Sequence, residues 1–311
     1  MRADLEKQIE AFRHDLLVQG LSELSVKRYA VQVRIMGEYL EEHEKSFTTM
    51  TRQDLVEFIS YIRIEKNMTQ KTLKNYFAGW NSFFEYLLFN EEVQANLIPI
   101  IRKRYLKQYK RDEGTKHRRK VISAEEMSKY LNSIMNIRNQ AIAVLLVKTG
   151  VRRGELVNID LSDIDWGMTS IKLKDKRKRS NLHVFFDEEC ADVLRYWLKV
   201  RESLYLEPGC DALFTNNLGR RLNRHGVYNA VAKSAEKFGI HDSKSKNNED
   251  HFTPHCLRHC FTTYLLESGM NREYVKELRG DARRDAVDVY NHIPLDKLRE
   301  AYLSAIPQFG L

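Results

Sequence analysis

The clearest structural signal in the chain is the segment AIAVLLVKTGVRRGEL, residues 141–156. Residues 141–147 are apolar on every side of a helix, which predicts a helix buried in a core. Gly150 then marks a turn, after which a new helix can begin with Arg152 in its first turns. An arginine there is anchored beside helix N-terminal N–H groups that attract anions. Alternatively, Arg152 only pairs with Glu155 on a helix surface, and the segment leaves both interpretations open.

The residues that follow this segment change from helical to strand periodicity. Residues 163–166, 170–173 and 182–186 predict three short strands, joined by turns at 167–168 and 174–181. Helices resume at 188–204, and Ser123 with Glu126 forms a capping-box pattern that opens a helix upstream. We therefore predict a mainly α domain with a small antiparallel β-sheet over residues 121–311.

A strongly basic segment lies immediately before this domain. Residues 102–120, RKRYLKQYKRDEGTKHRRK, hold ten Lys or Arg and two Asp or Glu, which equals the net charge of +8 of the whole chain. Clustered cations displace counterions from a phosphate backbone, so we expect a linker over residues 96–120 that grips a polyanion. A merely solvated linker is the alternative. The predicted phosphate contacts are Arg102, Lys103, Arg104, Lys107, Lys110, Arg111, Arg118, Arg119 and Lys120.

The first 95 residues predict a separate helical domain. Apolar residues recur at helical spacing from Leu5 to Leu17, and Ser25, Thr51 and Thr69 are suitable N-caps for three further helices. We expect four helices joined by short loops.

Length and composition support two domains and exclude several classes of protein. The 311 residues are about twice the usual length of one domain. The sequence has no apolar run near the roughly 18 residues that a membrane helix needs, and its N-terminus has no apolar signal-peptide core. We expect a cytoplasmic protein with four reduced cysteines.

A second candidate cluster is PHCLRHC, residues 254–260. His255 and Arg258 are three residues apart and share one helical face, which can present a proton-transfer group and a guanidinium to one phosphate. The spacing of the two His and two Cys also invites a zinc interpretation. No second cluster is present to complete a tetrahedral site, and Cys256 and Cys260 are expected to face the core.

The order of motifs carries more information than any one of them. GVRRGEL is followed by a basic hairpin, then by HCLRH, then by LRGDARR at 278–284 and by VYNHI at 289–293. In this order the sequence resembles the tyrosine recombinase (lambda-integrase, Xer-like) family. The resemblance covers residues 121–311, the helical N-terminus is similar to the family's SAM-like core-binding domain, and residues 278–293 look most like archaeal or archaeal mobile-element members.

This resemblance implies a two-domain clamp and a role for each matching residue. Arg152 and Arg258 would bind the non-bridging oxygens of the scissile phosphate, and His255 would act as the acid/base group. Tyr290 would attack phosphorus to form a 3′-phosphotyrosyl link, with neither metal nor ATP. Lys176 would protonate the leaving 5′-oxygen, although Lys174 and Lys178 are also available. The family usually has His or Trp where this chain has Asp281, which we include among the catalytic-site residues. An aspartate donates a proton to phosphate only when it is itself protonated, so it could instead orient His255, Arg258 or Arg279, or serve only as a helix N-cap.

The resemblance also implies partners. The substrate would be double-stranded DNA, and a free monomer would assemble on it as a homotetramer by exchanging the C-terminal tail, residues 295–311. That tail predicts a helix over 296–305 with Leu298, Ala301, Tyr302 and Ile306 on one stripe. Packing on its own domain is the alternative. A type IB topoisomerase-like enzyme and a catalytically silent DNA-binding protein are the alternative functions.

Overall fold

The computed structural model describes residues 2–106, 120–174, 181–245, 247–281 and 293–311. Contacts divide the chain into two compact units, Met1–Gly114 and Thr115–Leu311. Within the described residues, no helix is both long and apolar enough to cross a membrane.

The first unit is a helical bundle around an aromatic core. Thr51 and Thr69 cap their helices as predicted, each accepting a backbone N–H bond on its side chain. The second helix begins three residues earlier than expected, because Ser22 and not Ser25 supplies the N-cap oxygen. Trp80 lies at the centre of the bundle and donates its indole N–H to the carbonyl of Gln32, 2.8 Å away. The helices are α1 (Arg2–Val18), α2 (Glu23–Glu42), α3 (Arg52–Ile64), α4 (Gln70–Phe89) and α5 (Ile98–Tyr105).

Helix α5 is absent from the sequence prediction, which assigned residues 96–120 to a linker. Pro99 stands in the first turn of α5, where its missing N–H costs nothing. Ile98 and Ile101 are almost fully buried in the core of the first unit. The basic residues 102–104 form the exposed last turn of this helix, so the segment begins as a packed element of the first unit.

The second unit is built around the buried helix that the apolar segment predicted. Every residue from Ala141 to Thr149 on that helix is buried. Ser123 caps the preceding helix as expected. In the described part of this unit, the helices are α6 (Ala124–Asn132), α7 (Ile137–Thr149), α8 (Arg153–Leu156), α9 (Glu188–Glu202), α10 (Arg224–Phe238), α11 (Pro254–Glu267), α12 (Arg272–Arg279) and α13 (Leu295–Ala305), and 3₁₀ turns lie at Leu161–Asp163 and Asn248–Asp250.

A three-stranded antiparallel sheet completes this unit, in the order β1 (Ile164–Asp165), β2 (Ser170–Lys172), β3 (His183–Phe185). Ile171 is the central residue, paired with Ile164 on one side and Val184 on the other. The mainly α fold with a small antiparallel sheet is therefore confirmed, and each strand lies within its predicted range.

The C-terminal tail packs on its own unit. The helix predicted over 296–305 is confirmed as α13, and Leu298, Tyr302 and Ile306 are buried beside Phe185 and Phe261. The apolar stripe thus has a partner surface within the single chain.

A buried ion cluster, which we call the tail socket and define as Lys148, Asp187 and Glu189, holds the residues after α13. The Lys148 ammonium is fully buried and lies 2.6 Å from an Asp187 oxygen and 2.5 Å from a Glu189 oxygen. It also donates to the carbonyl of Pro307 at 2.7 Å, and Glu189 accepts the backbone N–H of Phe309 at 2.9 Å.

Candidate active site

The turn after α7 holds Arg152 at the mouth of a small cavity. Gly150 ends α7 in the left-handed conformation, with φ of 61°, and a Cβ atom there would collide with the ring of Phe261. The chain then turns so that Arg152 becomes the N-cap of α8. A side chain on this turn is therefore held by two rigid helices.

Glu155 fixes the orientation of Arg152. One carboxylate oxygen accepts the backbone N–H of Arg152 at 2.8 Å, and the other accepts its guanidinium at 2.9 Å. Glu155 is only 7% exposed, so the two residues do not form a surface pair. The sequence left open whether Arg152 pairs with Glu155 or binds an anion, and the two are compatible. The buried carboxylate of Glu155 orients the guanidinium group through one of its edges, and the other edge of the guanidinium can contact further groups.

Arg258 ties three segments of the unit together. Its guanidinium, 7% exposed, donates to the carbonyl of Gly150 and, at 2.8 Å, to that of Arg279. Arg258 therefore joins the turn that bears Arg152 to the end of α12. His255, one turn earlier on α11, is exposed at the rim.

These residues line one cavity of about 240 Å³. Arg152, Arg258 and His255, which the sequence placed in two separate motifs, all contribute to its wall. The full lining consists of Val151, Arg152, Arg153, Tyr228, Thr253, Pro254, His255 and Arg258. Two guanidinium groups and an imidazole around one small opening suit a single anionic group such as a phosphodiester.

Asp281 joins the same cluster from the end of α12. One of its oxygens lies 3.5 Å from Arg152 and 3.5 Å from Arg258, and the other lies 3.4 Å from Arg279. The residue that departs from the family's pattern therefore contacts three arginines.

The cysteines beside the cavity belong to the core, as predicted. Cys256 and Cys260 are buried, and burial raises the pKa of the Cys260 thiol to about 11. Among the residues that the structure describes, no group of three or more His, Cys, Asp or Glu side chains is arranged to hold a metal ion.

Several predicted site residues lie outside the described residues. They are Tyr290, Lys176, Lys178, Lys107, Lys110, Arg111, Arg118 and Arg119. Of the alternatives to Lys176, Lys174 is described and is paired with Asp160 and, at 3.5 Å, with Asp163. The hydrogen bond to Asp160 raises the pKa of Lys174. In the linker, Arg102, Lys103 and Arg104 are exposed, while Lys120 donates to the carbonyl of Ile240 at 3.0 Å.

The sequence missed one tyrosine of the cavity. Tyr228 on α10 lines it and stacks on His225. The only signal was the three-residue spacing of His225 and Tyr228, which carries no specificity by itself. By contrast, Tyr264 and Tyr302 are buried and donate their hydroxyls to backbone carbonyls, and desolvation raises the pKa of both.

Comparison with known proteins places the chain in a family. A model described as "Phage integrase family" matches residues 120–295, and one described as "Phage integrase, N-terminal SAM-like domain" matches residues 9–92. The tyrosine recombinase XerD of Oceanobacillus iheyensis is 28% identical over 312 residues, covering 98% of this chain and 99% of the relative. The tyrosine recombinase XerC of Corynebacterium glutamicum is 28% identical over 303 residues, covering 94% of this chain and 89% of the relative.

Solved structures share the fold. The XerH site-specific recombinase bound to difH in a pre-cleavage complex superposes with a TM-score of 0.65 at 23% identity, covering 97% of this chain and 84% of that one. A lambda integrase dimer bound to a COC′ core site gives a TM-score of 0.67 at 15% identity, covering 93% and 98%. Since the integrase-family match spans more than half of the 311 residues, the chain belongs to the phage integrase family, that of the tyrosine recombinases.

Proposed function

We propose that this tyrosine recombinase is an Xer-like site-specific enzyme that cleaves and rejoins double-stranded DNA through a 3′-phosphotyrosyl intermediate. The observation that carries the proposal is the shared cavity of Arg152, Arg258 and His255, which brings two arginines and a histidine into the wall of one small opening. The named relatives are Xer tyrosine recombinases, and the similar XerH structure contains its DNA site.

In the proposed reaction, Arg152 and Arg258 bind the non-bridging oxygens and stabilise the charge of the pentacoordinate transition state. His255 accepts the proton of the attacking phenol, which we assign to Tyr290. A phosphorus–oxygen bond to the tyrosine forms as the bond to the 5′-oxygen breaks, and that oxygen takes a proton from Lys176. The covalent link keeps the energy of the phosphodiester bond, so rejoining to another 5′-hydroxyl needs neither ATP nor metal.

Lys176→Ala is expected to cleave normal DNA slowly and to recover on DNA with a 5′-bridging phosphorothiolate. A thiolate leaves without a proton, so the loss of a general acid no longer matters. Rates of covalent adduct formation on the two substrates measure the rescue. Lys174→Ala, which removes a lysine already paired with Asp160, is the matched control and should need no rescue. Equal defects of Lys176→Ala on both substrates would exclude the role.

The domain assignment is also part of the proposal. Residues 1–95 would bind DNA as a core-binding domain, 96–120 would bind phosphates, and 121–311 would carry the chemistry. An enzyme of this kind works in the cytoplasm on the nucleoid. Chromosome-dimer resolution and mobile-element integration or excision use the same chemistry, and an attachment repeat in the DNA flanking the gene would favour the second role.

Neutralising Arg102, Lys103, Arg118 and Arg119 should reduce the slope of log K against log salt by roughly 0.9 per lost phosphate contact. Binding of the full chain to a fixed duplex at several salt concentrations gives the slope. A control variant that neutralises four exposed cations already paired with acids should keep the wild-type slope. The control residues are Lys129, Arg195, Arg220 and Lys276. If both variants have the wild-type slope, the segment is only a linker.

We further propose that a homotetramer forms on DNA by exchange of residues 295–311 between protomers, with the free chain a monomer. The tail socket supports this, because its contacts are made to the backbone and terminal residues of the tail. A second copy of the same chain can offer the same contacts. Two alternative functions predict different results. A type IB topoisomerase-like enzyme would relax DNA without strand exchange, and a catalytically silent DNA-binding protein would form no covalent adduct.

A further inference from the structure

The carboxylate of Asp281 occupies the point on which the two proposed phosphate-binding arginines converge. A single oxygen, Oδ1, is equidistant from Arg152 Nη2 and Arg258 Nη2, at 3.5 Å from each. These distances are longer than the 2.7–2.9 Å or so of a strong charge-assisted hydrogen bond. The oxygen therefore neutralises the pair without engaging it at close range.

The backbone around Asp281 determines this placement. Gly280 closes α12 in the left-handed conformation, with φ of 59°, so the chain turns sharply just before Asp281. Arg258 donates to the carbonyl of Arg279 at 2.8 Å and so fixes the end of the same helix. The arginine that the carboxylate neutralises thus also positions the segment that carries it.

The local charge balance makes this carboxylate important. Arg152 already forms an ion pair with Glu155, at 2.9 Å. Among the ion pairs of the described residues, the two arginines face the carboxylates of Glu155 and Asp281, and Arg279 also pairs with Asp281. When a scissile phosphate approaches the two arginines, the carboxylate of Asp281 already lies between them. The phosphate must compete with this carboxylate, because two anions cannot occupy the same oxygen position between the guanidinium groups.

We propose that Asp281 acts as an anionic substitute for the scissile phosphate. While no DNA is bound, it neutralises Arg152 and Arg258, which Glu155 and the backbone carbonyls of Gly150 and Arg279 orient, and it moves aside when the phosphate enters. Isolated anions and non-specifically bound phosphates displace it poorly. A phosphate that flanking DNA contacts deliver to the cavity has the additional binding energy to displace it. This proposal rests on the proposed function, since it assumes that Arg152 and Arg258 bind a phosphodiester.

Inorganic phosphate is the probe for the first experiment, because it needs no DNA sequence and no catalysis. Asp281→Asn is expected to bind phosphate about tenfold more tightly than the wild-type chain, the scale of a charge–charge interaction in a partly exposed site. Asp192→Asn, which removes an exposed carboxylate from a pair with Arg195, controls for net charge and should bind like the wild type. Asp281→Glu, which keeps the charge, should also bind like the wild type. Unchanged or weaker binding by a folded Asp281→Asn chain would overturn the proposal.

A second measurement uses only the wild-type chain, so it holds even if the variant does not fold. In a phosphate titration followed by NMR, the Asp281 carboxyl carbon should shift with the same midpoint as the side-chain Nε signals of Arg152 and Arg258. An Asp281 signal that stays constant while the arginine signals move means that the carboxylate is not displaced, and the proposal fails. Neither measurement requires DNA cleavage, so both test the role of Asp281 alone. If the proposed recombinase function were wrong, a separate experiment would show it, because the chain would form no covalent adduct with DNA.

Discussion

Tyr290→Phe is expected to bind DNA with nearly wild-type affinity and to form no SDS-resistant protein–DNA adduct. The change removes one oxygen, the atom that would bond to phosphorus, and leaves the arginines of the cavity in place. A duplex selected from a random pool by the full chain serves as the substrate. Denaturing electrophoresis detects the adduct, and electrophoresis under native conditions measures the affinity. The expected loss of adduct is complete, because no other group then forms the bond.

The described tyrosines provide the controls for this experiment. Tyr228→Phe, at the cavity wall, should still form the adduct. Tyr264 and Tyr302 are unsuitable nucleophiles, because both hydroxyls are buried and donate to backbone carbonyls. If Tyr290→Phe retains the adduct, the assignment is wrong and Tyr228, the tyrosine known to face the cavity, becomes the candidate.

Lys148→Met is expected to destabilise the second unit by about 3–5 kcal/mol, the usual cost of leaving a buried charge without its partner. Methionine keeps most of the side-chain volume, but Asp187 and Glu189 lose the ammonium that lies 2.6 and 2.5 Å from their oxygens. Chemical denaturation measures the loss. Lys129→Met breaks an exposed pair with Glu125 and should cost less than about 1 kcal/mol. Equal small losses would mean that the tail socket contributes little to stability.

The same socket makes tail exchange testable by mixing two defective chains. One chain lacks residues 306–311 but keeps its socket, and the other carries Lys148→Met and Tyr290→Phe but keeps its tail. If tails exchange, the second chain supplies its tail to the first, and the mixture forms adducts on the shortened chain that neither protein forms alone. If every tail binds only its own unit, the mixture stays inactive.

Acid should weaken the socket. Desolvation acts to raise the pKa of Glu189. The hydrogen bonds from Lys148 and from the backbone N–H groups of Leu311 and Phe309 lower it by more, so the pKa of Glu189 lies below its ordinary value of 4.5. A carboxylate whose pKa is lower in the folded state than in the unfolded state stabilises the fold when the pH is above its pKa in the unfolded state. This stabilisation is lost as the pH falls through its pKa in the folded state. The contribution of Glu189 to the socket should therefore persist at neutral pH and decline progressively as pH falls below about 4.5.

The sequence predicted those features that depend on neighbours along the chain. Thr51, Thr69 and Ser123 cap helices because a hydroxyl can reach an N–H three residues ahead, which spacing alone reveals. The same rule fails between Ser22 and Ser25, since two hydroxyls stand at suitable positions and local sequence does not rank them. The buried helix α7 was predicted because no solvent-exposed helix is apolar on every side.

Features that depend on distant segments could not be predicted in the same way. That Arg152 and Glu155 interact follows from spacing, but the burial of Glu155 follows from packing with the rest of the unit. Asp281 contacts Arg152, which is more than a hundred positions away in the sequence, and Arg258, which is more than twenty positions away. The sequence offered Arg258 and Arg279 as possible partners of Asp281, but it did not indicate the contact with Arg152.

Helix α5 has a practical consequence for dividing the protein. A fragment ending at residue 95, where the aromatic pattern stops, would remove Ile98 and Ile101 from the hydrophobic core and expose the surface beneath them. Such a fragment should aggregate or bind DNA weakly for reasons unrelated to its recognition surface. A fragment ending just after Leu106, which is itself buried, keeps the bundle whole and is the better starting point for testing whether the first unit binds DNA by itself.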